Sequence, residues 1–129
     1  MGQLADIMLG KLVTPKYFDP GSLVVDVSIN GQSIKNALID LGASINVMTK
    51  DTMKKLKIEG LRATPTILQI ANNSIVTPDG MIENIVVTLD SLEYPTDFMI
   101  LSPKVNLSSY PIILGRPWLA IVDANINCR

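Results

Sequence analysis

Three consecutive apolar residues, Ala37-Leu38-Ile39, run straight into a carboxylate, Asp40, and then into the small-residue turn Leu41-Gly42-Ala43-Ser44. A short continuous apolar run bounded by turn residues suits a strand covered on both faces. Such a strand drives Asp40 toward the interior, where an ionised carboxylate is costly unless N–H groups of its own turn bind it or a second acid shares its proton. Gly42 allows a positive φ and Ala43 keeps the turn slim. From these residues alone two readings stand: a carboxylate that caps a tight turn at a strand end, and a carboxylate placed inside for chemistry.

The surrounding pattern is that of a β domain. Leu23 to Ile29 and Gln32 to Ile39 flank Asn30-Gly31, a two-residue turn whose residues both tolerate the positive φ of a type I′ hairpin. That register sets Val27 opposite Ile34 and Asp26 opposite Lys35, so packing and charge agree. Beyond the Asp40 loop, Ile45 to Met48 reads as a strand. Thr49 then reads as the N-cap of a helix from Lys50 to Leu56, with Met48 and Met53 spaced as a hydrophobic staple. Lys54, Lys55 and Lys57 form a solvated last turn that complements the helix dipole. Thr66 to Ile70 and Met81 to Leu89 are the next strands, joined as a hairpin across a polar tip. Asp97 to Leu101 is another strand, and Ile112 to Gly115 an apolar run ending in glycine. Pro117 suits the first residue of a short helix that carries Trp118 and Leu119 into the core, and Ile121 to Asn127 closes the domain. Residues 1–19 carry little signal. Leu4, Ile7, Met8 and Leu12 fall at helical spacing, but Gly10 and Pro15 limit any helix there, so this segment reads as a tail or linker ahead of one domain at 20–129. No internal repeat is visible in the pattern.

Composition removes several function classes. The chain has 129 residues, 47% hydrophobic and 18% charged, which fits one domain with a real core. A net charge of −1 without a basic stripe argues against a nucleic-acid partner. There is no histidine, and Cys128 is the single cysteine. Ser-His and Cys-His nucleophiles, a zinc site and an internal disulfide are therefore out, and no metal or cofactor is expected. Acid–base chemistry falls to Asp, Glu, Lys or Tyr. No apolar run is long enough for a bilayer and the start lacks a signal-peptide layout, so no membrane partner and a cytoplasmic location are expected.

Two elements taken together carry a resemblance: apolar-apolar-Asp-x-Gly-Ala at Leu38 to Ala43, and Ile-Leu-Gly-Arg at Ile113 to Arg116. The pairing resembles the retropepsins, the aspartic proteases of retroviruses and long-terminal-repeat retrotransposons. The likeness runs from about Gly21 to Arg129, and Pro111 to Leu119 with Ala124 to Arg129 looks most like plant gypsy-type retrotransposon polyproteins. It implies a mainly β fold, a closed β-barrel subunit with one or two short helices, that works as a homodimer. By the same resemblance Asp40 is the catalytic residue, and Leu41, Gly42, Ala43 and Ser44 complete its loop. Ile113, Leu114, Gly115 and Arg116 form the floor beneath it, and Ala71, Asn72, Asn73, Ser74 and Ile75 form the flap over a bound peptide. One Asp-x-Gly-Ala motif per chain excludes the two-lobed arrangement in which a single chain supplies both carboxylates. The implied activity is an aspartic endopeptidase acting on an extended peptide, processing a retrotransposon polyprotein.

Two positions depart from the family pattern. Leu41 stands where Thr or Ser usually ties the two active-site loops together, and Ser44 stands where an acidic residue often pairs with the matching arginine. Leu41 keeps a second reading open, a retropepsin-like dimerisation or scaffold domain with weak or absent catalysis. A third is a monomeric peptide-binding barrel in which Asp40 only caps its turn.

Overall fold

The computed structural model describes residues 9–11, 22–69, 75–102 and 110–127. The elements in order are β1 (Leu9–Lys11), β2 (Ser22–Ile29), β3 (Gln32–Asp40), β4 (Val47–Thr49), α1 (Lys50–Lys55), β5 (Ile67–Gln69), β6 (Ile75–Val76), β7 (Gly80–Leu89), β8 (Leu92–Leu101), β9 (Ile112–Leu114) and α2 (Arg116–Asn127). Six strands close a barrel in the order β2-β3-β9-β4-β8-β7, and β1-β5-β6 form a separate three-stranded sheet. The mainly β closed barrel, with two helices among the described residues, is the fold expected from the sequence.

Local chemistry explains the barrel's two long hairpins. Asn30 and Gly31 both take positive φ, 53° and 74°, and turn β2 into β3. Val27 pairs with Ile34 as expected, but the next rung is Val25 with Ala37, so Asp26 faces both Lys35 and Asn36 across a bulge. Asn36 takes φ 64° there and donates its N–H to Asp26 Oδ1 at 3.4 Å. The hairpin of β7 and β8 turns at Asp90 and Ser91, again with positive φ. It carries the same irregularity: Asn84, at φ 58°, donates its N–H to Asp97 Oδ1 at 2.9 Å. Strand β8 begins at Leu92, earlier than the Asp97 expected. Pro95 hid this start, since a proline argues against a central strand. It is accommodated because β4 pairs with β8 only at Met99 to Leu101, leaving an open edge at Pro95.

The strand pairing has an approximate two-fold symmetry that the sequence pattern does not reveal. Among the described residues, each half of the chain runs long hairpin, three-residue strand, helix. Strand β3 of the first half lies parallel to β9 of the second, with Leu38 on Ile113 and Ile39 on Leu114. Strand β8 of the second half lies parallel to β4 of the first, with Met99 on Val47, Ile100 on Met48 and Leu101 on Thr49. Between them β4 and β9 run antiparallel, Val47 on Ile113. Through these registers Leu38 corresponds to Met99, Asp40 to Leu101 and Thr49 to Gly115.

The central strands are buried on both faces. Along β9, Ile112 and Leu114 join one core with Ala37, Met48, Phe98 and Trp118, while Ile113 joins a second with Leu38, Val47, Leu68 and Leu101. Trp118 is a core residue, edge-on to Tyr94 with ring centroids 5.8 Å apart.

Helix α1 is capped as expected, Thr49 Oγ1 accepting the N–H of Thr52 at 3.2 Å, with Asp51 in its first turn. It closes with Lys57 at φ 56°, the N–H of Ile58 reaching Met53 C=O and that of Lys57 reaching Lys54 C=O. Three expectations change. The chain from Arg116 to Asn127 is one helix of 12 residues, longer than the short helix inferred from Pro117. The strand at Thr66 to Ile70 does not pair with Met81 to Leu89; β5 pairs with β6, Leu68 on Val76 and Gln69 on Ile75, and β7 belongs to β8. Within the segment read as helical spacing, Leu9–Lys11 are extended and lie parallel to β5.

Candidate active site

Strand β3 is held between β2 and β9, and its last rung sets Asp40 opposite Ser22. Alternation along the strand gives Asp40 the face of Leu38, the side on which Leu68 of β5 is buried. Asp40 is 2% exposed. Its Oδ1 accepts the N–H of Gly42 at 2.8 Å and its C=O accepts the N–H of Ala43 at 3.2 Å, which closes the turn. A charge-assisted bond of this kind holds the carboxylate in one orientation. The carboxylate thus caps its own turn, as the simpler sequence reading had it, and does so from inside the protein.

The rest of the loop divides by burial. Leu41 is 54% exposed, Ala43 is buried, and Ser44 is half-buried. Ile113 and Leu114 are fully buried and pair with Leu38 and Ile39, the two residues that lead into Asp40. Gly115 is required by close approach: a Cβ there would meet the carbonyl oxygens of Ile45 and Ala43, the latter at 2.7 Å. Arg116 touches the loop through its backbone, donating its N–H to Ala43 C=O at 3.0 Å, while its side chain is exposed. Of the residues expected in the flap, Ile75 lies in β6 and is exposed, whereas Ala71, Asn72, Asn73 and Ser74 lie outside the described residues.

Sequence reasoning missed Asn46. It is 4% exposed, its Oδ1 accepts the N–H of Gly115 at 2.8 Å, and its Nδ2 donates to Asp97 C=O at 3.1 Å. The signal was present: an amide flanked by Ile45 and Val47 in a buried run must find partners. Beside this residue opens a cleft of about 590 Å³, with Ser44, Ile45, Asn46, Thr66, Met81 and Met99 in its wall. Among the described residues, no group of three His, Cys, Asp or Glu side chains is placed to hold a metal ion.

A closed barrel in which one strand ends at a buried aspartate that opens an Asp-x-Gly-Ala turn, seated on an apolar-apolar-Gly-Arg segment, is the architecture of a retropepsin-like aspartic protease domain. The aspartyl protease family matches residues 25–118, and the chain belongs to that family. Two solved structures share the fold. One is the retroviral protease-like domain of Ddi1 from Leishmania major, with a TM-score of 0.57 and 21% identity over 81% of this chain and 75% of that one. The other is a retropepsin-like aspartic protease from Rickettsia conorii, with a TM-score of 0.54 and 20% identity over 76% of this chain and 70% of that one. No curated protein sequence matches the chain.

Proposed function

We propose that this chain is an aspartic endopeptidase that works as a homodimer on extended peptides. The observation that carries this is Asp40 at the end of β3, the one buried carboxylate among the described residues, with leucine at the corresponding end of β8. One carboxylate per chain requires a second chain for the acid–base pair that peptide hydrolysis needs. Two Asp40 side chains facing each other across a dyad would share one proton, because like charges so close do not both ionise; this is the known behaviour of aspartic proteases. The ionised partner takes a proton from water as the water oxygen attacks the scissile carbonyl carbon. The neutral partner gives its proton to the carbonyl oxygen, and transfer of a proton to the amide nitrogen lets the C–N bond break. The peptide would gain main-chain hydrogen bonds as an added strand does.

A second observation supports the dimer. Leu23 and Val24, 60% and 46% exposed, pair with Ile39 and Leu38 just before Asp40, and exposed Leu41 follows it. Apolar side chains gathered around a buried acid suit a surface that another copy covers. Leu41 also favours the second reading, a dimerising scaffold with weak catalysis, because it offers no hydroxyl to the opposing loop. The retrotransposon polyprotein as natural substrate, and the cytoplasm as its location, rest on the sequence resemblance and segment reading alone.

The test is hydrolysis of a denatured protein by the wild type and by Asp40→Asn. The wild type should cleave, most actively on the acidic side of neutrality and fading as the shared proton is lost. Asp40→Asn should lose activity by about 10²–10⁴-fold while remaining folded. Equal activity in the variant, activity that keeps rising through alkaline pH, or a strictly monomeric active species in sedimentation would refute the proposal.

A further inference from the structure

We propose that Asn46 is a positioning residue: its amide sets the seating of the Asp40 loop on the β9–α2 junction, and through that loop the direction of the Asp40 carboxylate. This deepens the peptidase reading and rests on it.

The argument starts from what the side chain can do. An amide presents an acceptor and a donor in one plane, and Asn46 uses both in directions that are not interchangeable. The acceptor takes the N–H of Gly115, the residue whose missing Cβ lets the carbonyls of Ala43 and Ile45 come close. The donor goes to the backbone carbonyl of Asp97 on β8. Asp97 is itself fixed, since its carboxylate holds the bulge of β7 through the N–H of Asn84. The backbone carbonyl of Asn46 accepts the N–H of Met99 at 2.9 Å. One buried residue therefore joins the Asp40 loop to β8 and to the start of α2.

The loop is also held by the Arg116 to Ala43 bond and by the turn closed by Gly42 and Ala43. Without the Asn46 amide, Gly115 N–H and Asp97 C=O lose a common partner in a buried site. The loop can then ride away from β9, and Gly42, which orients Asp40, rides with it. Packing alone does not account for an asparagine here, because an aliphatic residue would fill the space without the desolvation of two polar groups.

The experiment compares the wild type with Asn46→Asp and Asn46→Leu. Asn46→Asp keeps the shape. Its ionised form can accept from Gly115 but turns a lone pair toward Asp97 C=O, while its protonated form restores the donor and acceptor. Among the described residues, the charged ones nearest to it along the bonded chain are Asp97, whose carbonyl it binds, and Arg116, which follows its partner Gly115. For Asn46→Asp near neutral pH, kcat should fall roughly 10–100-fold with KM within about threefold. At about pH 4 the ratio to wild type should recover to within a few-fold. Asn46→Leu should stay impaired at both pH values. Independently of turnover, amide hydrogen exchange at Gly42 and Ala43 should speed up in Asn46→Leu while the β7–β8 hairpin stays protected.

An active wild type with a folded Asn46→Asp variant of unchanged kcat overturns the proposal. So does a loss confined to KM, or unchanged exchange at Gly42 and Ala43. If the wild type shows no turnover, the peptidase reading fails separately, and loop exchange alone decides whether Asn46 seats the loop.

Discussion

The two halves of this barrel share a framework and differ at the three places where chemistry would sit. The first half brings a strand to Asp40, with Gly42 two residues on to donate an N–H to it. The second brings its equivalent strand to Leu101, and two residues on stands Pro103, which has no N–H to give. Ahead of the helices the contrast reverses: α1 is capped by Thr49, while the corresponding Gly115 before α2 is stripped to let the Asp40 loop approach. Even the hairpin bulges exchange roles. The carboxylate comes from β2 and the left-handed asparagine from β3 in one half, whereas asparagine comes from β7 and the carboxylate from β8 in the other. One half ends its strand at a buried acid and the other seats the loop of that acid, so the proposed hydrolysis would take its second acid from another chain.

Breaking this comparison most sharply means asking the second half to hold a carboxylate. Leu101→Asp should destabilise the domain by about 3–5 kcal/mol or leave it unfolded, because the charge would replace a fully buried leucine of the apolar core. Chemical denaturation checks this, and near-native stability would mean that the halves are more alike than described. Next in size, Gly115→Ala should cost about 1–3 kcal/mol through the clash with Ala43 and Ile45, and should depress peptidase activity further by lifting the loop. Thr49→Ala at the matching position should cost about 1 kcal/mol, the usual value of an N-cap, and leave activity per folded molecule unchanged. The pair of melting curves with activities separates a seat for the loop from a plain helix cap.

The smallest effect concerns Leu41. Leu41→Thr should raise peptidase activity a few-fold without dissolving the proposed dimer, since one hydroxyl bond across its axis would contribute about 0.5–1.5 kcal/mol net. A robust wild-type activity unchanged by the substitution would remove Leu41 as the dividing residue. Dimeric but inert wild type and variant would instead favour the scaffold reading.

Much of the framework was legible because it rests on local chemistry. Asn30-Gly31 dictates its turn, Thr49 its cap, and an apolar run into Asp40 a strand that dives inward. What stayed hidden depends on partners distant in sequence. The bulges arise where Asp26 and Asp97 find the N–H of asparagines across a hairpin, and nothing local marks those asparagines as left-handed. Strand β8 was half-missed because Pro95 is tolerated only at an edge that the barrel order defines. Asn46 looked like one polar residue in an apolar run until Gly115 and Asp97 were seen on either side of it. Beyond α1, β5 pairs with β6, a choice among strands that alternation patterns do not make.

The crossed parallel pairings also set the order in which this molecule can come into being. Neither β3 nor β4 finds its parallel partner within its own half, since β9 and β8 lie downstream. During synthesis the first hairpin and α1 can form early, but Asp40 is not enclosed until β9 arrives near the end of the described chain. Non-local pairing of this kind slows folding and leaves apolar strands uncovered meanwhile. A nascent chain would thus carry its acid in solvent, where it is ordinary, and acquire a buried one only as the second half threads into place.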